Sequence, residues 1–152
     1  MIVYRLCKQT YSNDLSGYGA EKTGGRWNSK GVPILYTAAS RALAVVEIAV
    51  HAPLGIIPTN YTLTVIELPE TFIKKIEMDD LPANWNRNPF IKATQLIGDD
   101  FINNNMHLIL QVPSAAVPGD HNYLINPRHP GFKNVHIKTT ESFEFGSRLF
   151  KK

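Results

Sequence analysis

Residues 2–7, Ile-Val-Tyr-Arg-Leu-Cys, are apolar or aromatic apart from Arg5 and read as a β-strand. The pattern then breaks. Residues 8–31 are rich in Gly, Ser, Asn and charge and read as a long loop. A loop of ~20 residues inside a compact domain is uncommon unless it is functional, and this one holds Gly17, Gly19, Gly24, Gly25 and Gly31. The apolar run Val32-Pro33-Ile34-Leu35-Tyr36 predicts a short strand, with Pro33 placing it at a sheet edge or at a strand start. Thr37 to His51 read as a helix that Thr37 or Ser40 can cap and Pro53 stops.

Residues 61–68 alternate, Tyr61, Leu63 and Val65 against Thr62, Thr64 and Ile66. Asn88-Pro89 predicts a cap followed by proline in the first turn of a helix. That helix carries Phe90, Ile97 and Phe101 on one face, flanked by Ile91 and Ala93, and ends near residues 103–105. Further strands are expected at 107–112, 121–125 and 133–138. The elements add up to an α+β fold, one compact domain over residues 1–152, with a mixed, mostly antiparallel sheet and flanking helices. No internal repeat or low-complexity linker divides the chain.

Composition narrows the function classes. The chain has 152 residues, 43% apolar and 19% charged, enough for one core and no long disordered stretch. Its net charge of +3 is modest, acidic residues cluster between Glu67 and Asp80, and Lys151 and Lys152 close the sequence. No stripe of Lys and Arg interleaves with aromatics, which disfavours nucleic-acid binding. A pI near 9.0 leans toward an anionic ligand. No apolar run approaches the ~20 residues that span a bilayer. Met1-Ile2-Val3-Tyr4, followed by Arg5 and Lys8, lacks the apolar region of a leader. Cys7 is the single cysteine, so no intramolecular disulfide can form, and it reads as a packed thiol. The expected location is the cytoplasm.

Three local oddities are candidates for chemistry. Glu47 interrupts Ala42-Leu43-Ala44-Val45-Val46-Glu47-Ile48-Ala49-Val50, a helix apolar on all sides and therefore expected to be buried. A buried carboxylate is costly without a partner. It either pairs with His51 one turn on, emerges at a helix edge, or is held in a cleft. In Gly24-Gly25-Arg26-Trp27-Asn28, two glycines permit close backbone approach, and Arg26 offers a planar fork for phosphate or carboxylate. Ser114 follows a strand end in Gln111-Val112-Pro113-Ser114-Ala115; without a Gly-x-Ser-x-Gly elbow or an assignable triad it is not read as an acyl nucleophile. No histidine pair has an i, i+4 spacing, so no metal is expected. There is no Walker motif and no Gly-x-Gly-x-x-Gly opening a helix. Glu47, Arg26 and Tyr36 fall within 22 residues and could hold a charged, ring-containing ligand.

Taken together in order, these segments resemble the RES domain, named for an arginine, a glutamate and a serine. The similarity runs through Tyr4-Arg5-Leu6, Leu15-Ser16-Gly17-Tyr18-Gly19-Ala20, Gly24 to Gly31, Pro33 to Thr37, Ala42 to Glu47 and His51. It continues through Thr94-Gln95-Leu96-Ile97-Gly98-Asp99, Val112 to Ala115, Asn122 to Pro130, and Phe145 to Leu149, covering about residues 3–149. Gly17-Tyr18-Gly19 carries tyrosine where an acidic residue is frequent.

The resemblance implies an ADP-ribosyltransferase-like fold and the toxin half of a toxin–antitoxin pair that breaks down NAD as substrate. Inorganic phosphate is then a conceivable co-substrate, and no bound cofactor is implied. A cognate Xre-type antitoxin and self-association into dimers are its implied partners. By the same resemblance Arg26, Tyr36, Glu47 and Ser114 would be catalytic. Glu47 would stabilise positive charge on ribose, Tyr36 would stack on nicotinamide, and Ser114 would position the ribose or the acceptor. Arg5 and Arg26 would hold the diphosphate, with Asn28 and Asn126 also on NAD. Water as acceptor gives hydrolysis, phosphate gives phosphorolysis, and a protein side chain gives transfer. A non-catalytic nucleotide- or protein-binding module is the competing class.

Overall fold

The computed structural model describes residues 1–150; Lys151 and Lys152 lie outside them. Its centre is a seven-stranded sheet: β1 (Ile2–Lys8), β2 (Leu35–Ala38), β3 (Tyr61–Glu67), β4 (Ile73–Lys75), β5 (Ile109–Pro113), β6 (His121–Ile125) and β7 (His136–Phe143). The spatial order is β4-β5-β6-β2-β1-β3-β7. Every pairing is antiparallel except β4 with β5. The expected α+β class with a mixed, mostly antiparallel sheet is what folds. Among the described residues no helix is long and apolar enough to cross a membrane.

Among the described residues three α-helices accompany the sheet: α1 (Tyr18–Thr23), α2 (Arg41–Ala49) and α3 (Lys92–Asn104). Alternation along the strands separates two faces. Val3, Leu35, Ile66, Ile109 and Ile125 pack together on one face with Leu68, Leu108 and Val135. Leu110, Val112 and Leu124 face the other way, against Phe101 and Ile102 of α3 and both tryptophans. Leu6, Ala38 and Leu63 meet Leu43 and Ala44 of α2.

The structure redraws several expected elements. Thr37 does not cap a helix: it lies in β2, where its Oγ1 donates to the Tyr123 carbonyl at 2.7 Å. Ser40 is the cap, its Oγ accepting from the Leu43 amide. Residues 8–31 are not one loop, because α1 and a 3₁₀ turn at Gln9–Tyr11 form within them. Asn88-Pro89 does not open a helix: it is a cis peptide in the segment before α3, which starts at Lys92 after Ile91. Phe90 consequently leaves the core face and is exposed. The last strand begins at His136 rather than 133, since residues 130–134 form a 3₁₀ turn under a His129 cap. Strand β4 was hidden in the acidic stretch.

One feature of the topology creates space. The β1–β2 ladder contains a single Cα pair, Tyr4 with Ala38. The two strands then part, and the sheet is open at its middle.

Candidate functional site

A cavity of about 260 Å³ occupies that opening, walled by Tyr4–Leu6 of β1, Tyr36–Ala38 of β2, and Ala44, Glu47, Ile48 and His51 at α2. A larger cavity of about 590 Å³ adjoins it, walled by Gly24–Trp27, Val50, residues of the 86–90 segment, Ala115 and Ala116. Tyr36, Glu47, His51 and Asn122 line both. The residues that separate the two compartments are thus the polar and aromatic ones, a common arrangement in ligand sites.

Cross-strand registration explains the floor. Tyr4, Ala38, Asn122 and Val112 stand opposite one another on four adjacent strands, and so share one face. Ala38, the small member, leaves room beneath α2. The helix therefore buries only Leu43 and Ala44, while Val45 to Ala49 are half-buried and Val50 is exposed. This corrects the expectation drawn from its all-round apolar sequence. Glu47 sits not in the core but on a cavity wall.

Glu47 does not pair with His51 in an ion pair among the described residues. Its Oε1 instead accepts from Ser114 Oγ at 2.8 Å and from Asn122 Nδ2 at 2.7 Å. Ser114 Oγ in turn accepts from the amides of Ala116 and Val117, at 3.1 and 3.0 Å. A hydroxyl has one proton and two lone pairs, so these three bonds occupy the whole hydrogen-bonding capacity of Ser114.

Arg26 lies at the tip of a loop closed by reciprocal Gly25–Asn28 amide–carbonyl bonds. Its Nη1 donates to the carbonyls of Trp85 and Arg87, at 2.8 and 2.9 Å. Partial burial lowers its pKa from the ordinary guanidinium value, and the charge of Glu47 opposes that shift. Arg5 contributes to the smaller cavity, its Nη1 donating to the Tyr11 carbonyl. The two arginines thus line different compartments on either side of Glu47, rather than one shared anion cradle.

Tyr36 is both wall and strut. Its hydroxyl donates to Asn28 Oδ1 at 2.6 Å and accepts from the Trp27 amide at 3.1 Å. Burial pushes the phenol pKa far above its usual value. Gly25 is required by this packing, because a Cβ there would stand 2.8 Å from the tyrosine hydroxyl. Asn28 is fully buried, and its Nδ2 donates to the carbonyls of Ala20, Ser29 and Val32. Asn126 is also fully buried, past the far end of β6. It donates to Asn105 Oδ1 and the His107 carbonyl and accepts from the Arg128 amide. Neither asparagine lines either cavity. Both hold loops in shape.

The Arg26 loop is gripped from below by α3. Gln95 Nε2 donates to the carbonyls of Gly25 and Asn28, and Asp99 accepts from the amide and hydroxyl of Ser29. Gly98 lets the two backbones touch. Sequence reasoning missed this clamp, and it missed Asn122 and the 86–90 wall. Asn122 carried one legible signal, a polar side chain two residues before the apolar Leu124 on the same strand face.

Comparison with known proteins agrees with the segment-by-segment similarity. A profile described as the RES domain matches residues 2–146. "Prs ADP-ribosylating toxin" of Sphingobium sp. (strain YBL2) is 38% identical over 148 residues, 95% of this chain and 92% of that protein. "Toxin Res" of Yersinia enterocolitica is 36% identical, covering 98% of this chain and 99% of that one. "Toxin Res" of Photorhabdus laumondii is 38% identical, covering 99% and 98%. Among solved structures, a chain of the Mycobacterium tuberculosis MbcT–MbcA toxin–antitoxin complex superposes with a TM-score of 0.75 at 20% identity, over 98% of this chain and 86% of that one. That likeness speaks for the fold.

Proposed function

This chain belongs to the RES domain family, and from that membership and the geometry around Glu47 we propose that it is the toxin of a toxin–antitoxin pair and breaks the nicotinamide–ribose bond of NAD. The single observation that carries the chemistry is the pinned carboxylate. Glu47 lines both cavities while Ser114 and Asn122 hold its Oε1.

The reaction asks for little more. Nicotinamide in NAD is a cationic leaving group and departs neutral when it takes the bonding pair. No general acid is needed, unlike ordinary glycoside hydrolysis with its two carboxylates. Positive charge appears instead on the ribose, and a preorganised carboxylate stabilises it. Among the described residues lining either cavity, Glu47 is the sole carboxylate. Arg26, held rigid through Nη1, leaves its remaining donors for a diphosphate oxygen. The Tyr36 ring offers an apolar face for an aromatic base. The acceptor that completes the reaction is phosphate or water, its oxygen bonding to the ribose carbon as nicotinamide leaves.

Transfer to a protein side chain is the second reading. The name of the Sphingobium relative, an ADP-ribosylating toxin, favours it. The partner is a cognate antitoxin, in keeping with the toxin–antitoxin complex from which the structural neighbour comes; the family resemblance makes it one of Xre type.

The test is NAD incubated with purified protein, with and without inorganic phosphate, products resolved by mass. Nicotinamide with phosphorylated ADP-ribose means phosphorolysis, and plain ADP-ribose means hydrolysis. Glu47→Gln is expected to keep the fold and lose activity by about 10²–10³-fold, the range for removing a preorganised electrostatic group. Intact NAD from folded, antitoxin-free protein, or a fully active Glu47→Gln, overturns the reading.

A further inference from the structure

Asn122 carries an unusual cost. Its Oδ1 is shut off from solvent and finds no hydrogen-bond partner among the described residues. The amide cannot escape by flipping: Glu47 Oε1 lies 2.7 Å from Nδ2 and needs a donor, so the oxygen must point the other way. An orphaned buried acceptor loses its hydration without a replacement bond and so destabilises the fold. Buried polar groups are otherwise nearly all satisfied, which makes the exception informative.

The alternatives open to β6 sharpen the point. Asn122 pairs with Ala38 on one side and Val112 on the other, and Leu124, two residues on along the same face, is apolar and fully buried. An apolar residue at 122 would pack on that face without stranding an oxygen. What it could not do is donate to Glu47.

We propose that Asn122 is a positioning residue for Glu47, kept at a cost in stability because it fixes which carboxylate oxygen faces the ligand. The proposal rests on the reading that Glu47 is the charge-stabilising group of the reaction. Ser114 is anchored by two amides and can hold Oε1 from one direction only. A carboxylate held at one point still swings about that contact. Asn122 adds a second donor from a different strand onto the same oxygen. Two fixed directions on Oε1 define the plane of the group and leave Oε2 as the oxygen that these two donors do not occupy.

This role makes a prediction that an ordinary structural asparagine does not. Asn122→Ala removes the donor and the orphan together, so the unfolding midpoint is expected to stay level or rise. The kcat for NAD cleavage is expected to fall about 10–100-fold with KM little changed, because the lost interaction matters in the transition state. Asn122→Asp keeps the volume but turns the donor into a second carboxylate, and is expected to be no more active than Asn122→Ala. In a crystal structure of Asn122→Ala, Glu47 is expected to leave its single orientation and lose the Ser114 contact or populate several conformers.

A clear loss of stability in Asn122→Ala with unchanged kcat overturns the proposal, as does an unmoved, singly oriented Glu47. An Asn122→Asp protein as active as the parent overturns it too. If the parent protein leaves NAD intact, the functional reading fails. A Glu47 that swings free in the Asn122→Ala crystal still supports the positioning role in that case.

Discussion

Replacing Gly98 with alanine sets two opposing effects against each other. In the interior of a helix, alanine is better than glycine by about 1 kcal/mol, so propensity alone predicts a stabler protein. At Gly98, however, a Cβ would stand 1.6 Å from the Trp27 carbonyl oxygen and 2.7 Å from its carbon. Both atoms are backbone and cannot rotate away. Restoring an ordinary separation of ~3.5 Å pushes α3 and the Arg26 loop apart by roughly 2 Å. That shift breaks the bonds spanning the contact: Gln95 to Gly25 and Asn28, at 3.1 and 3.0 Å, and Ser29 to Asp99, at 2.8 and 2.6 Å.

With neutral bonds worth about 0.5–1.5 kcal/mol and bonds to a charged group about 1.5–3 kcal/mol, the loss is about 4–9 kcal/mol before relaxation. Partial adjustment and the propensity gain reduce it to about 3–5 kcal/mol. That is a large share of the ~5–15 kcal/mol that keeps a domain folded. Urea denaturation followed by tryptophan fluorescence reads it directly, since Trp27 and Trp85 lie 6.3 Å apart beside the clamp. Gly19→Ala is the matched control, also within a helix but with nothing within 4 Å of the added Cβ. It is expected to leave the midpoint level or raise it. A Gly98→Ala midpoint at or above that of the parent would refute the close-contact reasoning.

Two further outcomes follow from the same geometry. Ser40→Ala removes the acceptor for the Leu43 amide at the start of the helix that carries Glu47; it is expected to lower stability by about 1 kcal/mol in urea denaturation, with Ser40→Asp restoring most of it. Tyr36, with its folded pKa raised by burial, binds its proton more tightly folded than unfolded. Its contribution to stability is therefore present below pH ~10, the free phenol value, and is lost as pH rises through the folded value. Absorbance at 295 nm during alkaline titration is expected to be the same for parent and Tyr36→Phe until the protein unfolds. A difference between the two curves near pH 10, with the fold intact, would contradict the burial of that phenol.

The legible parts were those written in local pattern. A short, mostly apolar run located β1, and alternation located β3, each to within a residue or so. Glu47 was conspicuous because a carboxylate amid apolar neighbours demands an explanation. Arg26 and Tyr36 stood out less by pattern than by the family similarity around them. Strand β4 was illegible: three residues paired in parallel to β5 carry too short a pattern to see. The start of α3 was misread because the segment before it was recruited as a cavity wall, and that packing outweighed a proline signal for a first turn.

By itself, the sequence determined the class of fold, the family, and the residue types available for chemistry. Those depend on periodicity and on side-chain chemistry, which are properties of the chain taken a few residues at a time. Only the tertiary structure decided what each group does. It opened the sheet where β1 and β2 share a single pair, and it placed Arg5 and Arg26 in different compartments. It turned Ser114 and Asn122 onto one oxygen of Glu47 across sequence separations of 67 and 75 residues. It also withdrew Asn28 and Asn126 into loop cores. A hydrogen bond is directional and holds only within about 3.5 Å, and partners that far apart in the chain meet at such distances only once the sheet register has been set.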